Sequence, residues 1–162
     1  MNTIMKGKEK AFYLFTMLWA AMNIFCIWAP HIQTVKNLNA STATAYFNLE
    51  ANAVSSADKI WTLSFNRTAI ENNTNVTIQV VDQSFDQLLE APKTGYVAAL
   101  EKGCGKSWYE YDMFSHSIIP LPQKTIVLKL SSGKYAKVEI QNYYKDGKGD
   151  SGYYTFRYEF IK

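Results

Sequence analysis

The chain has 162 residues, 48% of them hydrophobic and 15% aromatic, with a formal net charge of +3. That supports one folded domain with an ample core once the N-terminus is set aside. Lys6, Lys8 and Lys10 against Glu9 account for +2 of the charge, leaving +1 for the rest, so the body lacks the clustered basic face that nucleic acid requires.

Residues 1–30 read as a signal peptide or membrane anchor. A basic start is followed by a mostly apolar run from Ala11 to Ala29, the pattern of an n-region and an h-region. Three fates fit it: cleavage after Ala20, lipidation of Cys26, or retention as an uncleaved apolar span of about 20 residues. Cys26 lies in this segment, which leaves Cys104 with no partner for a disulfide in the body. No paired Cys/His spacing for zinc is present.

Residues 31–43 read as a polar linker, and 44–162 as one all-β domain. Thr44 to Leu49 is predicted as the first strand. Lys59 to Asn66 is predicted as the next, with Trp61, Leu63 and Phe65 facing the core. Val76 to Val81 follows, with Val76, Ile78 and Val80 on one face. Ser84 to Leu89 is expected to form a short helical turn ahead of Pro92, and Trp108 to Met113 to be extended. Four Asn-x-Ser/Thr triplets, at Asn39, Asn66, Asn72 and Asn75, read as unmodified polar turns.

The last third reads as two hairpins in a row. Lys124 to Leu130 alternates strictly, with Ile126, Leu128 and Leu130 on one face. Ser131, Ser132 and Gly133 make the turn, Gly133 supplying the positive φ that three-residue hairpin loops use. Lys134 to Gln141 returns with Ala136, Val138 and Ile140 inward, and Lys137, Glu139 and Gln141 outward. Tyr153 to Phe160 then sets Tyr154, Phe156, Tyr158 and Phe160 on one face. Three antiparallel strands with one apolar face each require a second layer. The predicted core includes Ile126, Leu128, Val138, Ile140, Phe156 and Tyr158.

The string Gly133-Lys-Tyr-Ala-Lys-Val-Glu-Ile140, with Tyr143, Tyr144 and Gly152-Tyr-Tyr-Thr-Phe-Arg-Tyr158, resembles the HmuY family of haem-binding proteins of Bacteroidetes. Trp61 to Arg67 is similar to that family's tryptophan-led strand, and Pro92 to Tyr96 to its Pro-x-x-Gly-Tyr turn. Trp108, Phe114-Ser-His116, Pro120 and Pro122 resemble the segment that carries one axial haem ligand in the founding members. The resemblance covers roughly residues 44–162. It implies an all-β fold of antiparallel hairpins in an exported protein of the cell envelope, at the outer membrane or cell surface. It also implies that the protein binds haem for iron acquisition and passes it to an outer-membrane receptor. In members with two axial ligands the first sits on an extended loop between the Gly-Tyr turn and the Trp segment. Here that interval runs only from Val97 to Ser107 and holds no His and no Met, which implies a single protein ligand.

Only His31 and His116 exist. His31 falls in the predicted linker. His116 precedes a Pro-containing turn, where a loop presents side chains, and neutral imidazole is a standard axial ligand for haem iron. Met113, with its thioether, is the alternative. Each has a plain structural reading as well, His116 as a hydrogen-bonded turn residue and Met113 as an apolar strand residue. Trp108, Tyr109 and Tyr111 offer rings on which a porphyrin stacks, or core and cross-strand packing. Lys134, Lys137 and Arg157 suit haem propionates, or a solvated strand face. No paired carboxylates, nucleophile–base pair or phosphate loop points to an enzyme. The reading is a haem-carrying protein with one protein ligand; the alternative is a surface binding or structural module of the same fold without haem coordination.

Overall fold

A computed structural model describes residues 31–162. The segment 1–30, including Cys26 and the expected leader or anchor, lies outside the described residues. The body holds eleven strands: β1 (Gln33–Asn39), β2 (Ala45–Asn48), β3 (Ala53–Ser55), β4 (Leu63–Asn66), β5 (Ala69–Asn72), β6 (Thr77–Val81), β7 (Tyr109–Asp112), β8 (Ser117–Pro120), β9 (Thr125–Lys129), β10 (Tyr135–Tyr144) and β11 (Ser151–Ile161). One sheet has the order β1-β11-β10-β9-β6, a second β3-β2-β4-β5, and β7 pairs with β8 alone. Every pairing is antiparallel. The all-β expectation holds.

The two larger sheets meet through aromatic rings. Phe156 lies 5.4 Å from Phe47 and 5.3 Å from Phe65, and Tyr154 lies 4.7 Å from Phe65. All six predicted core residues are buried. The buried phenols keep partners: Tyr154 donates to the Arg67 carbonyl at 2.5 Å, and Tyr158 to the Leu49 carbonyl at 3.0 Å. Both carbonyls belong to turns within the smaller sheet, β2–β3 and β4–β5, so each tyrosine ties the sheets by packing and by a hydrogen bond.

Strand β1 corrects the reading of 31–43 as linker. Val35 pairs with Phe156 and Leu38 with Tyr154, so three residues of β1 span two of β11. The extra residue is a bulge. Asn37 sits there at φ 53°, its amide donating to Asp146 at 2.7 Å. Beside it the chain closes on β11: Ala40 donates to the Gly152 carbonyl at 2.8 Å, and a Cβ on Gly152 would lie 2.7 Å from the Ser41 Cα. That approach and a φ of 86° require glycine.

The outer face of β10 and β11 is a second correction. Lys137 and Glu139 are buried, not solvated, and so is Glu159. A turn at Ser84 to Leu88 lies over them and drives the fully buried Phe85 ring between two cations, 4.3 Å from the Lys137 Nζ and 4.3 Å from the Arg157 Cζ. Lys137 donates to the Phe85 and Leu88 carbonyls at 2.8 and 2.9 Å and pairs with Glu159 at 3.0 Å. Arg157 bridges Glu139 at 2.5 Å and Asp86 at 2.9 Å. The charges are taken out of water because the strap supplies further partners to the two cations, and the cations in turn pair with Glu159 and Glu139. A third, smaller difference lies in β4, which starts at Leu63 and leaves Ile60 81% exposed.

The long strands give the body two ends. The β9–β10 turn marks one, with Tyr135 opposite Ile161; the Tyr144–Ser151 turn marks the other.

Removing Lys137 strands Glu159 and two carbonyls in a dry site. Lys137→Ala is expected to lower the unfolding free energy by about 3–5 kcal/mol in urea titrations; a loss near zero would mean that the strap is not held by this cation. Burial pushes the Tyr158 phenol up to about 12 and Tyr154 higher still. A raised acid group stabilises fully below its unfolded value and loses that contribution as pH climbs toward the folded one. Stability measured at about pH 11 is therefore expected to fall below that at about pH 9.

Candidate functional site

The residues singled out by the sequence converge on the β7–β8 hairpin, which stands at the Tyr144 end of the body. Its base is fixed. The Trp108 ring lies 5.3 Å from Tyr154, 5.6 Å from Tyr143 and 4.7 Å from Tyr109, and its Nε1 donates to the Thr68 carbonyl at 3.1 Å. The Tyr144 hydroxyl accepts the Ile118 N–H at 2.7 Å. Trp108 and Tyr109 are both buried, so neither ring is offered for stacking, which corrects that part of the sequence reading. They mount the hairpin on the core instead.

The tip is the opposite. Phe114 is 99% exposed and Met113 72%, while His116 is exposed in the left-handed region at φ 53°. Asp112 organises the turn: its carboxylate accepts the Phe114 N–H at 2.8 Å and the Ser115 hydroxyl at 2.6 Å. Ser115 also pairs with Ser117. The Ser115 hydroxyl first, and the Phe114 N–H second, hold the Asp112 carboxyl below its ordinary value.

His116 faces Tyr111 across the hairpin, Nδ1 lying 2.9 Å from the phenolic oxygen. When Nδ1–H donates to that oxygen, the Nε2 lone pair is free, and Nε2 has no protein partner among the described residues. Tyr111 thus fixes the ring orientation, and in the tautomer with the proton on Nδ1 it plays the part of an outer-shell partner to a metal-ligating imidazole. The residues present fit haem iron from one side only: a free imidazole nitrogen flanked by exposed Phe114, Met113 and Tyr111. Tyr111 is the one predicted stacking ring that stays accessible, at 40% exposure. Phe114 was not singled out by the sequence for stacking, although its place at the centre of a hairpin turn is where an apolar ring is left uncovered.

The remaining candidates lie apart from that tip or brace it. His31 is an exposed residue ahead of β1. Cys104 is an exposed free thiol whose Sγ accepts the Tyr111 N–H at 3.0 Å, bracing the 97–107 loop against β7. Lys137 and Arg157 are engaged by the strap, and Lys134 pairs with Glu50 at 3.2 Å, so none of the three stands free for a propionate. Among the described residues clefts are formed elsewhere. One, of about 220 Å³, is lined by Trp61, Ile60, Asn73 and Asn75; another, of about 110 Å³, is lined by Thr68, Ile70, Leu100 and Lys102. Both fall below the ~300–1,000 Å³ of sites that engulf a drug-sized ligand. Haem at the hairpin would lie on the surface. Among the described residues no group of three or more His, Cys, Asp or Glu side chains is placed to hold a metal ion.

No family model matches the chain, and no curated protein does. Solved structures do. A candidate HmuY-like heme-binding protein from Bacteroides vulgatus superposes with TM-score 0.60 at 18% identity, over 79% of this chain and 91% of that one. Apo PinO from Porphyromonas gingivitis gives 0.64 at 14% identity, over 83% and 99%. A candidate lipoprotein from Bacteroides fragilis gives 0.62 at 20% identity, over 81% and 90%. The chain has the HmuY-like fold, an all-β body of antiparallel sheets.

The turn chemistry gives a direct check. The Asp112 carboxyl is expected to titrate below 3.8 by NMR, and Ser115→Ala to move it back upward. A depressed carboxylate stabilises the turn above its unfolded value and releases it as pH falls through the folded one, so the tip should loosen only in acid.

Proposed function

We propose that this chain is an exported haem-binding and haem-carrying protein of the cell envelope, serving iron acquisition without catalysis. Its site holds haem through one protein ligand, His116, with Met113 as the alternative. The observation that carries this reading is an exposed imidazole whose Nε2 has no protein partner among the described residues, oriented by Tyr111 and set among exposed Phe114 and Met113 on an HmuY-like fold. The heme-binding description of the Bacteroides vulgatus structure and the lipoprotein description of the Bacteroides fragilis one support the ligand class and the envelope location. Residues 1–30 serve export or anchoring, through cleavage, Cys26 lipidation or retention in the bilayer. The sixth coordination position is left to water or to a residue of a receptor in the outer membrane, to which a haem held at the surface is readily surrendered.

The small size of both clefts favours a second reading, a surface binding module of the same fold without haem coordination. One titration separates them. Haem added to the full chain is expected to bind saturably at one site, with a Soret band that shifts in His116→Ala and changes less in Met113→Ala. Loss of the imidazole should weaken binding by roughly tenfold or more, or about 1.4 kcal/mol and upward. Absence of saturable binding by the wild-type chain would hand the function to the surface-module reading. Binding that survives loss of both side chains would leave the function standing and remove His116 and Met113 from it.

A further inference from the structure

The larger cleft lies at the other end of the body, where the β9–β10 turn meets the chain before β4 and the β5–β6 connection. We propose that it is a saccharide-binding site, taking a single sugar ring or a short terminal stretch of a glycan.

The lining is of the kind that reads a polyhydroxylated ring. Trp61 is half-buried, with Tyr46 5.2 Å away in an edge arrangement that holds the indole in place. Beside it Ile60 is 81% exposed. This exposure is built in: the Ile60 carbonyl is pinned by the Ser55 hydroxyl at 2.8 Å and the Asn48 amide at 3.3 Å. Backbone held from two sides leaves an isoleucine presented to solvent next to an indole, a platform for the apolar C–H face of a sugar. Around it stand amides. Asn75 is exposed, and the Asn73 Oδ1 is taken by the Thr74 hydroxyl and the Asn75 N–H, leaving its Nδ2 without a protein partner among the described residues. Side-chain amides present a donor and an acceptor side by side, matched to neighbouring hydroxyls.

Other ligand classes fit less well. A peptide adding as a strand needs an open sheet edge, whereas β2, β4, β9 and β10 at this end are interior strands, and of the edge strands β5 and β6 only their connection, Asn73 to Val76, reaches the lining. An anion would need a clustered positive charge, but the lining carries one lysine, Lys59, against one carboxylate, Glu50, which also pairs with Lys134 at 3.2 Å on this rim. A purely apolar molecule would leave the amides desolvated and unpaired. At about 220 Å³ the cleft admits one or two sugar rings and excludes a porphyrin, so this site is independent of the haem reading.

The test uses the full chain with glucose, galactose, mannose, N-acetylglucosamine, lactose and chitobiose as probes, followed by saturation-transfer NMR and calorimetry. At least one sugar is expected to bind saturably with Kd on the order of 1 mM. Trp61→Ala should weaken it by roughly tenfold or more, through loss of the stacking surface. Because Trp61 also packs on Tyr46, the exposed Asn75→Ala is the companion variant, with a loss of about three- to tenfold from its hydrogen bonds. His116→Ala should leave sugar binding unchanged. Failure of all six sugars to bind saturably would overturn the proposal, as would sugar binding that is indifferent to Asn75→Ala or is lost with His116→Ala.

Discussion

The aromatic seam between the two larger sheets is the constraint on which the rest depends. Phe47 and Phe65 from one sheet face Tyr154, Phe156 and Tyr158 from the other, each ring contributing about 1.5–3 kcal/mol by burial. Packing alone would leave two sheets free to slide over a greasy interface. The Tyr154 and Tyr158 hydroxyls prevent this, because each must reach a backbone carbonyl on the opposite side or be left dry and unpaired. The same tyrosines therefore supply apolar area and register. Tyr154 also touches Trp108, so the seam continues into the base of the β7–β8 hairpin and aims it. A change in the seam is thus expected to reach the hairpin through Trp108, although no tip residue belongs to the core.

On the far side of the same strands the physics differs. Lys137, Glu139, Arg157 and Glu159 alternate with the core residues, a pattern that ordinarily marks a wet face. What buries them is a single turn bearing one phenylalanine. Phe85 covers the hydrocarbon stems and offers its ring to two cations, while the strap carbonyls and Asp86 complete their hydrogen bonds. The five-stranded sheet is covered on both faces in its middle although its sequence period describes only one. Nothing local in the alternation could reveal this, because the covering turn lies some fifty positions before Lys137 and buries only two apolar side chains, Phe85 and Leu88.

The C-terminal hairpins were legible because β9, β11 and β10 as far as Ile140 keep a period of two across the core, and because Gly133 marks their first turn; beyond Ile140 the register shifts and Tyr143 takes the buried side. Strand β1 was not, since the bulge at Asn37 shifts Val35 and Leu38 out of step and makes an edge strand look like a polar linker. The hairpin shows a subtler failure. Tyr109 and Tyr111 are two apart and so share a face by alternation, yet one is buried and the other exposed. Period tells which way a side chain points; it does not tell how far a strand runs beyond the body. His116 was legible as a candidate by chemistry and by family resemblance, whereas its pairing with Tyr111 arises from the β7–β8 register, which sets Asp112 opposite Ser117 and folds the turn back.

The two candidate sites stand at opposite ends of β10 and β11, and strands of that length span about 30 Å at ~3.3 Å per residue. One end is a projecting hairpin with an exposed apolar tip, where a flat ligand would be held loosely and from one side. The other is a recessed cleft between turns of both sheets, where a small ligand would be read by fixed side chains. The difference follows from how each is supported: the hairpin is two strands wide and bound at its base, while the cleft is walled by turns and strand ends of both larger sheets. A surface-held ligand suits transfer, since a partner reaches its open face without first opening the fold. A recessed polar cleft suits retention. If both proposals hold, one body keeps two unlike surfaces apart, and their ligands would not compete for space.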